Sequence, residues 1–67
     1  MIKKEEFLKL MEDYNCNKKQ LAKYLHITEK TLNNKINGIT EFTLSEIQLL
    51  WLMFPKNEVE RIIKIWI

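Results

Sequence analysis

The residues best suited to chemistry lie between positions 17 and 38, where lysines, amides and hydroxyls far outnumber acids. Five lysines against one glutamate give this segment a net charge of +4, whereas the chain of 67 residues carries only +2. The flanks, 1–16 and 41–67, each hold three basic and four acidic side chains, a sum of −1 apiece. The lysines of the segment are Lys18, Lys19, Lys23, Lys30 and Lys35. Such a basic face attracts phosphate backbones through a sequence-independent, salt-sensitive interaction.

By contrast, few residues of the chain could support catalysis or metal binding. The chain holds one histidine, His26, and one cysteine, Cys16. A structural zinc site needs four ligands, and a catalytic thiol needs a neighbouring base. We therefore predict that the protein is not an enzyme and binds no metal and no cofactor. We interpret His26 as a turn residue and Cys16 as a buried packing residue, and a lone cysteine also fits a reducing compartment.

Size and composition indicate what kind of domain positions these residues. Sixty-seven residues predict a single domain, 1–67, with a core too small for a deep pocket, so we expect no small-molecule ligand. One glycine and one proline leave little room for β-turns, which predicts an all-α fold. No apolar run approaches the ~18 residues of a membrane span, and the N-terminus, MIKKEEF, lacks a signal-peptide pattern. We expect no membrane association and a cytoplasmic location.

Helix signals divide the chain into five segments, and no sheet is expected. The predicted helices cover residues 3–14, 17–25, 28–38, 43–54 and 57–67. Asn17 with Gln20, and Thr43 with Glu46, have the spacing of capping boxes at the starts of the second and fourth helices. Pro55 is expected to end the fourth helix, because the residue before a proline disfavours the helical conformation.

Single residues predict the remaining helix ends. Thr28 and Asn57 are expected to cap the third and fifth helices. Asn15 is expected to close the first helix in a left-handed conformation, and Gly38 to close the third. His26 then lies in the turn between the second and third helices.

The third predicted helix has two sides of different chemistry. Leu32 and Ile36 share the side that would face a core. The opposite side carries hydrogen-bonding side chains sized for base edges or phosphate oxygens: Lys30, Asn34 and Asn37, with Thr31 and Asn33 at its edges. Taken alone, this side could equally be a solvated helix surface. A small residue in the second helix, Ala22, would let the two helices cross closely.

The pattern of apolar, small and hydroxyl residues in this segment is similar to that of a known family. The residues concerned are Leu21, Ala22, Leu25, Ile27, Thr28, Thr31, Leu32, Asn37 and Gly38. They resemble the helix-turn-helix of phage repressor and Cro proteins, and FTLSEI at 42–47 resembles the start of the fourth helix in small Cro-like regulators. The resemblance covers 17–47 and is looser in the flanks. It implies a compact, lambda-repressor-like domain of five helices, with 17–38 as its helix-turn-helix.

The resemblance also implies roles for individual residues. The implied base-reading residues are Glu29, Lys30, Asn33 and Asn34, and the implied phosphate contacts are Lys18, Lys19, Thr31 and Asn37. The helical projection places Glu29 nearer the core side, so the two lines of reasoning differ on this residue. The chain also departs from the family in having His26 where glycine is usual and Lys35 where an apolar residue is usual.

The predicted function is that of a sequence-specific DNA-binding regulator. The resemblance points to a Cro-like repressor of a phage or other mobile element, which occupies a double-stranded DNA operator in a bacterial host and excludes polymerase. The alternative is a protein-interaction module, an antirepressor or adaptor, on the same fold. Glu29, Glu41, the small total charge and an apolar C-terminal stripe favour that alternative.

The C-terminal third is apolar beyond the needs of one helix face. Residues 49–54, LLWLMF, are apolar on every side, so this helix is expected to be covered all round. The fifth helix offers one apolar stripe, from which Ile65 is excluded: Val59, Ile62, Ile63, Trp66 and Ile67. We interpret 57–67 as a candidate dimerisation helix, with Val59, Ile63 and Trp66 as anchors of a homodimer formed at least on DNA. A compact monomer that buries these residues itself is the alternative.

Overall fold

The protein folds as an all-helical domain, as its sequence predicts. The computed structural model describes residues 2–67, and within this range it contains no β-strand. The helices are α1 (Lys4–Asp13), α2 (Lys18–Tyr24), α3 (Glu29–Ile36), α4 (Leu44–Met53) and α5 (Val59–Trp66). A single 3-10 turn, Lys56–Glu58, precedes α5.

Both predicted capping boxes are present. The Asn17 side chain accepts a hydrogen bond from the Gln20 backbone N–H (2.7 Å), and the Gln20 side chain accepts one from the Asn17 N–H. Thr43 and Glu46 make the same reciprocal pair at the start of α4, at 3.2 and 2.8 Å. Each cap satisfies backbone N–H groups that a helix start leaves unpaired, which typically stabilises a protein by about 1 kcal/mol.

Three successive helices close with the same left-handed motif. Asn15, His26 and Gly38 follow α1, α2 and α3 with φ values of 53°, 60° and 79°. At each one the next N–H reaches back to a carbonyl five residues earlier, as from Ile27 to Ala22 at 2.9 Å. This is the Schellman arrangement, in which the left-handed residue reverses the chain and pairs the last carbonyls of the helix. The predictions for Asn15 and Gly38 are confirmed, and His26 lies in the predicted turn.

One core joins the five helices. Its fully buried side chains are Phe7, Leu10, Leu21, Leu32, Ile36, Leu50, Ile62 and Ile65. An aromatic cluster closes one side of this core: Trp66 meets Phe7 and Phe42 edge-on, with ring centroids 6.3 and 5.5 Å apart. Helix α3 is therefore anchored to the same core as α1 and α5.

The predicted start of the fifth helix is wrong, and its buried side includes a residue that the predicted apolar stripe left out. Asn57 lies inside the 3-10 turn, and α5 begins after Glu58 without a side-chain cap. Ile65, excluded from the predicted stripe, is fully buried together with Ile62. The reason is tertiary: the Ile65 carbonyl accepts a hydrogen bond from the Lys3 N–H at 2.7 Å, which seats this turn of α5 against the start of α1.

The fourth helix, expected to be covered all round, is not covered on its outer side by the rest of its own chain. Glu46 and Leu50 on its inner side are buried, but Leu44, Trp51 and Leu52 on its outer side are exposed. So short a chain has too few elements to wrap a second side of α4 after α1, α3 and α5 have enclosed the core. An apolar helix face is therefore left in contact with solvent.

Candidate nucleic-acid interface

The helix pair α2–α3 holds the predicted site residues. Leu21 and Ala22 of α2 and Leu32 of α3 are buried between the two helices and the core. Ala22 is buried and has only a methyl side chain, so it takes little space where α2 packs. The turn at His26 sets their relative direction, because its left-handed backbone reverses the chain directly after α2.

The predicted outward side of α3 faces away from the core. Lys30 and Asn37 are exposed and Asn34 is half-buried, whereas Leu32 and Ile36 on the opposite side are almost completely buried. Among residues 2–67, no hydrogen bond engages the side-chain amide of Asn34 or Asn37. Both amides can therefore donate to and accept from an external partner.

The first turn of α3 adds an acid and a hydroxyl to this side. Glu29 is exposed, contrary to the projection that placed it nearer the core, because first-turn residues protrude beyond the helix contact. The Thr31 hydroxyl oxygen accepts from the Thr28 hydroxyl at 2.9 Å, and the Thr31 N–H donates to the same Thr28 oxygen at 3.1 Å. Thr31 therefore supports the helix cap and keeps its own hydroxyl hydrogen for another acceptor. Asn33, at the edge, is half-buried.

Three lysines of α2 complete the basic surface. Lys18 and Lys19 form the first turn of the helix, and Lys23 lies one turn later; all three are exposed. Their flexible ammonium groups suit contact with phosphate oxygens rather than with base edges.

The fifth lysine of the segment, Lys35, does not belong to the basic surface, which corrects the charge reading of the sequence. Its side chain is buried, and its ammonium donates to Glu46 Oε1 at 2.8 Å and to the Glu41 carbonyl at 3.1 Å. The aromatic ring of Phe42 lies beside it, 5.9 Å from the ammonium. The exposed charge of 17–38 is therefore four lysines against Glu29, a net +3.

The Lys35–Glu46 pair is the site feature that sequence reasoning missed. Glu46 accepts from Lys35 and also from the Thr43 N–H, so one carboxylate joins the end of α3 to the first turn of α4. Burial alone would raise the pKa of Glu46, but the hydrogen bonds from Lys35 and Thr43 outweigh it and hold the pKa below its usual value. The available signal was Lys35 itself, a charge at a position where the resembled family has an apolar residue.

The predicted dimer anchors on α5 are divided between core and surface. Val59 is exposed and Ile63 is half-buried. Trp66 is half-buried, and its ring edge is used in contacts with Phe7 and Phe42 of its own chain. The dimer itself remains a prediction, but Trp66 supports the monomer's core.

The described residues show neither a metal site nor a membrane-spanning helix. Within 2–67, no three ligating side chains converge on a point where a metal ion could bind. No helix in that range has the length and apolar character needed to cross a bilayer. Comparison with protein-family models, with curated proteins and with solved structures finds no match to this chain.

Proposed function

We propose that this protein is a sequence-specific DNA-binding regulator that acts by occupying its operator in the bacterial cytoplasm. The observation that carries the proposal is the outward side of α3. It presents Lys30, Asn34 and Asn37 to solvent, while Leu32 and Ile36 fix the helix to the core. An α-helix with such a side fits the width of the major groove.

Base reading would rest on the residues nearest the middle of this side. An asparagine amide such as that of Asn34 can pair with the N6 and N7 edge of adenine, and the Lys30 ammonium can donate to guanine O6 and N7. Asn33 and the exposed carboxylate of Glu29 lie beside them, and a carboxylate can accept from the cytosine amino group.

Phosphate contacts would hold the helix in register. Lys18 and Lys19 come from the first turn of α2, and Thr31 and Asn37 come from α3 and its end. Each neutralised phosphate contributes a slope of about −0.9 to the dependence of log affinity on log salt. Repression would follow from steric exclusion of polymerase, which requires only that the operator be occupied.

A mobility-shift assay on DNA from the protein's own promoter region tests the proposal. Wild type should bind tightly at low salt and more weakly at moderate salt. Lys30→Ala and Asn34→Ala should lose preference for the operator by about 1–3 kcal/mol each, with unchanged thermal unfolding. The matched variants Lys18→Ala and Lys19→Ala should weaken binding to all sequences alike and reduce the salt slope by about one unit each. Operator binding by both α3 variants at wild-type strength would exclude α3 as the reader.

A second candidate function is that of a protein-interaction module, an antirepressor or adaptor. The observation that favours it is the exposed apolar side of α4, which a DNA-binding role does not use. This candidate predicts no salt-sensitive shift on any duplex, so the same assay separates the two functions.

A further inference from the structure

The outer side of α4 is an uncharged, mostly apolar surface. Leu44 and Leu52 are 72% and 79% exposed, and Trp51 is 46% exposed. Ser45 and Gln48 are exposed between them. We call these five residues the α4 face. Charged residues make up 30% of the chain, yet the α4 face contains none, so two copies of it can meet without like-charge repulsion.

The spacing of the α4 face is symmetric about Gln48. Leu44 and Leu52 lie four residues on either side of it, and Ser45 and Trp51 lie three residues on either side. If two antiparallel copies of α4 cross at Gln48, each leucine meets the other leucine of the second copy, and each tryptophan meets a small serine. The Gln48 amide both donates and accepts, so the two copies can exchange hydrogen bonds across the twofold axis.

Opposite charges lie at the two ends of the helix. Glu41 precedes α4 and Lys56 follows it, and both are exposed. An antiparallel arrangement brings the acidic end of one copy toward the basic end of the other, whereas a parallel arrangement would bring like charges together. A lipid surface suits the α4 face less well, because α4 has no lysine or arginine to bind anionic headgroups.

We propose that the α4 face is a self-association surface through which a second copy of this chain pairs antiparallel about Gln48. The proposal does not depend on DNA binding. Five surface residues and two flanking charges per copy are far fewer than the roughly 20–30 residues a side of a standard interface. The dimer is therefore weak and forms only at high micromolar concentration, with Trp51 as its largest contact.

Sedimentation velocity of the full chain over a dilution series tests the pairing. Wild type should pass from monomer to dimer as the concentration rises toward the millimolar range. Leu52→Glu sets a carboxylate against Leu44 of the second copy, so it should stay monomeric throughout. Its thermal unfolding should not change, because the side chain is exposed. A wild type that remains monomeric at the highest concentration would overturn the proposal.

Three further variants locate and orient the interface. Val59→Glu, on the exposed side of α5, is the matched control and should dimerise like wild type; loss of the dimer in this variant but not in Leu52→Glu would overturn the proposal in favour of α5. Glu41→Lys should weaken the dimer severalfold at low salt, and adding Lys56→Glu should restore it. Failure of the double variant to restore pairing would rule out the antiparallel arrangement.

An anionic vesicle co-sedimentation assay addresses the lipid alternative. Wild type and Leu52→Glu are both expected to remain in the supernatant. Vesicle binding by wild type that Leu52→Glu abolishes would assign the α4 face to a bilayer and contradict pairing with a second copy.

Discussion

The helix-turn-helix segment, 17–38, and the C-terminal part, 44–67, divide their side chains between core and surface in different ways. In the first, the aliphatic residues that face the core are buried, and the exposed side is polar or basic. In the second, large apolar side chains occur on both sides of the helices. Those left exposed are Leu44, Trp51, Leu52, Val59 and Ile67.

This difference underlies the separate proposals made for the two regions. The polar side of α3 offers hydrogen-bonding groups at fixed positions, as base or phosphate recognition requires. The α4 face offers apolar area with one central amide, which suits pairing with another helix. The two surfaces use different elements, so their functions can be separated by substitution.

The largest difference in unfolding free energy is expected between substitutions of the two tryptophans of the C-terminal part. Trp66→Ala should lower the free energy of unfolding by about 3 kcal/mol, because the ring packs on Phe7 and Phe42. Trp51→Ala should leave it within about 0.5 kcal/mol, because an exposed side chain removes little from the core. Chemical denaturation of the two variants measures both values, and equal losses would show that α4 is buried in solution.

A second contrast concerns two lysines of α3. Lys35→Met should cost about 2–3 kcal/mol of unfolding free energy, because it leaves the buried carboxylate of Glu46 without its ion-pair partner. The double variant Lys35→Met/Glu46→Gln should recover most of this loss, since glutamine still accepts from Thr43. Lys30→Met, the matched control at an exposed position, should unfold like wild type and lose preference for the operator. Equal stability of all three variants would mean that the ion pair does not support the fold.

The pH dependence of stability should report on the same pair. The pKa of folded Glu46 lies below its value in the unfolded chain, because Lys35 and Thr43 donate hydrogen bonds to the carboxylate. The unfolded chain therefore binds the proton more readily, so this contribution to stability is present above the unfolded pKa and disappears as pH falls through the folded pKa. Denaturant titrations at several acidic pH values should show a flatter profile for Glu46→Gln. In Lys35→Met only the hydrogen bonds from Thr43 still oppose the effect of burial, so the Glu46 pKa should lie higher than in wild type and less stability should be lost on acidification.

The sequence was sufficient where local signals decide the structure. The capping boxes at Asn17 and Thr43 and the closing residues Asn15 and Gly38 act within a single helix turn, so their effects can be predicted without knowing the fold. The burial of Ile65 and the exposure of Leu52 depend on where α1 crosses α5 and on what remains to cover α4. When a helix has apolar residues on every side, its sequence does not show which side will be buried.

The same distinction between local signals and tertiary packing applies to the residues of the candidate site. The outward placement of Lys30, Asn34 and Asn37 follows from helical spacing relative to Leu32, so it could be predicted. The burial of Lys35 could not, because a lysine pattern alone does not show that a carboxylate from the next helix will meet it. Base and phosphate roles stay predictions until DNA binding is measured.

The smallest changes in unfolding free energy are expected at two residues that share one backbone conformation. His26 and Gly38 both close a helix at positive φ, with values of 60° and 79°. A left-handed conformation costs a residue with a Cβ roughly 1–2 kcal/mol, whereas glycine adopts it freely. His26→Gly should therefore raise the unfolding free energy by about 0.5 kcal/mol, after subtracting the greater freedom of glycine in the unfolded chain.

Gly38→Ala should do the reverse and lower the unfolding free energy by about 1 kcal/mol. A Cβ at this position would meet no atom within 4 Å, so the loss would come from backbone strain alone. Thermal melts of the two variants therefore test the same physics with opposite signs. A clear fall in melting temperature for His26→Gly, alongside the expected fall for Gly38→Ala, would mean that the imidazole makes a stabilising contact at the turn. The helix-turn-helix would then depend on a side chain where its backbone motif requires only a left-handed residue.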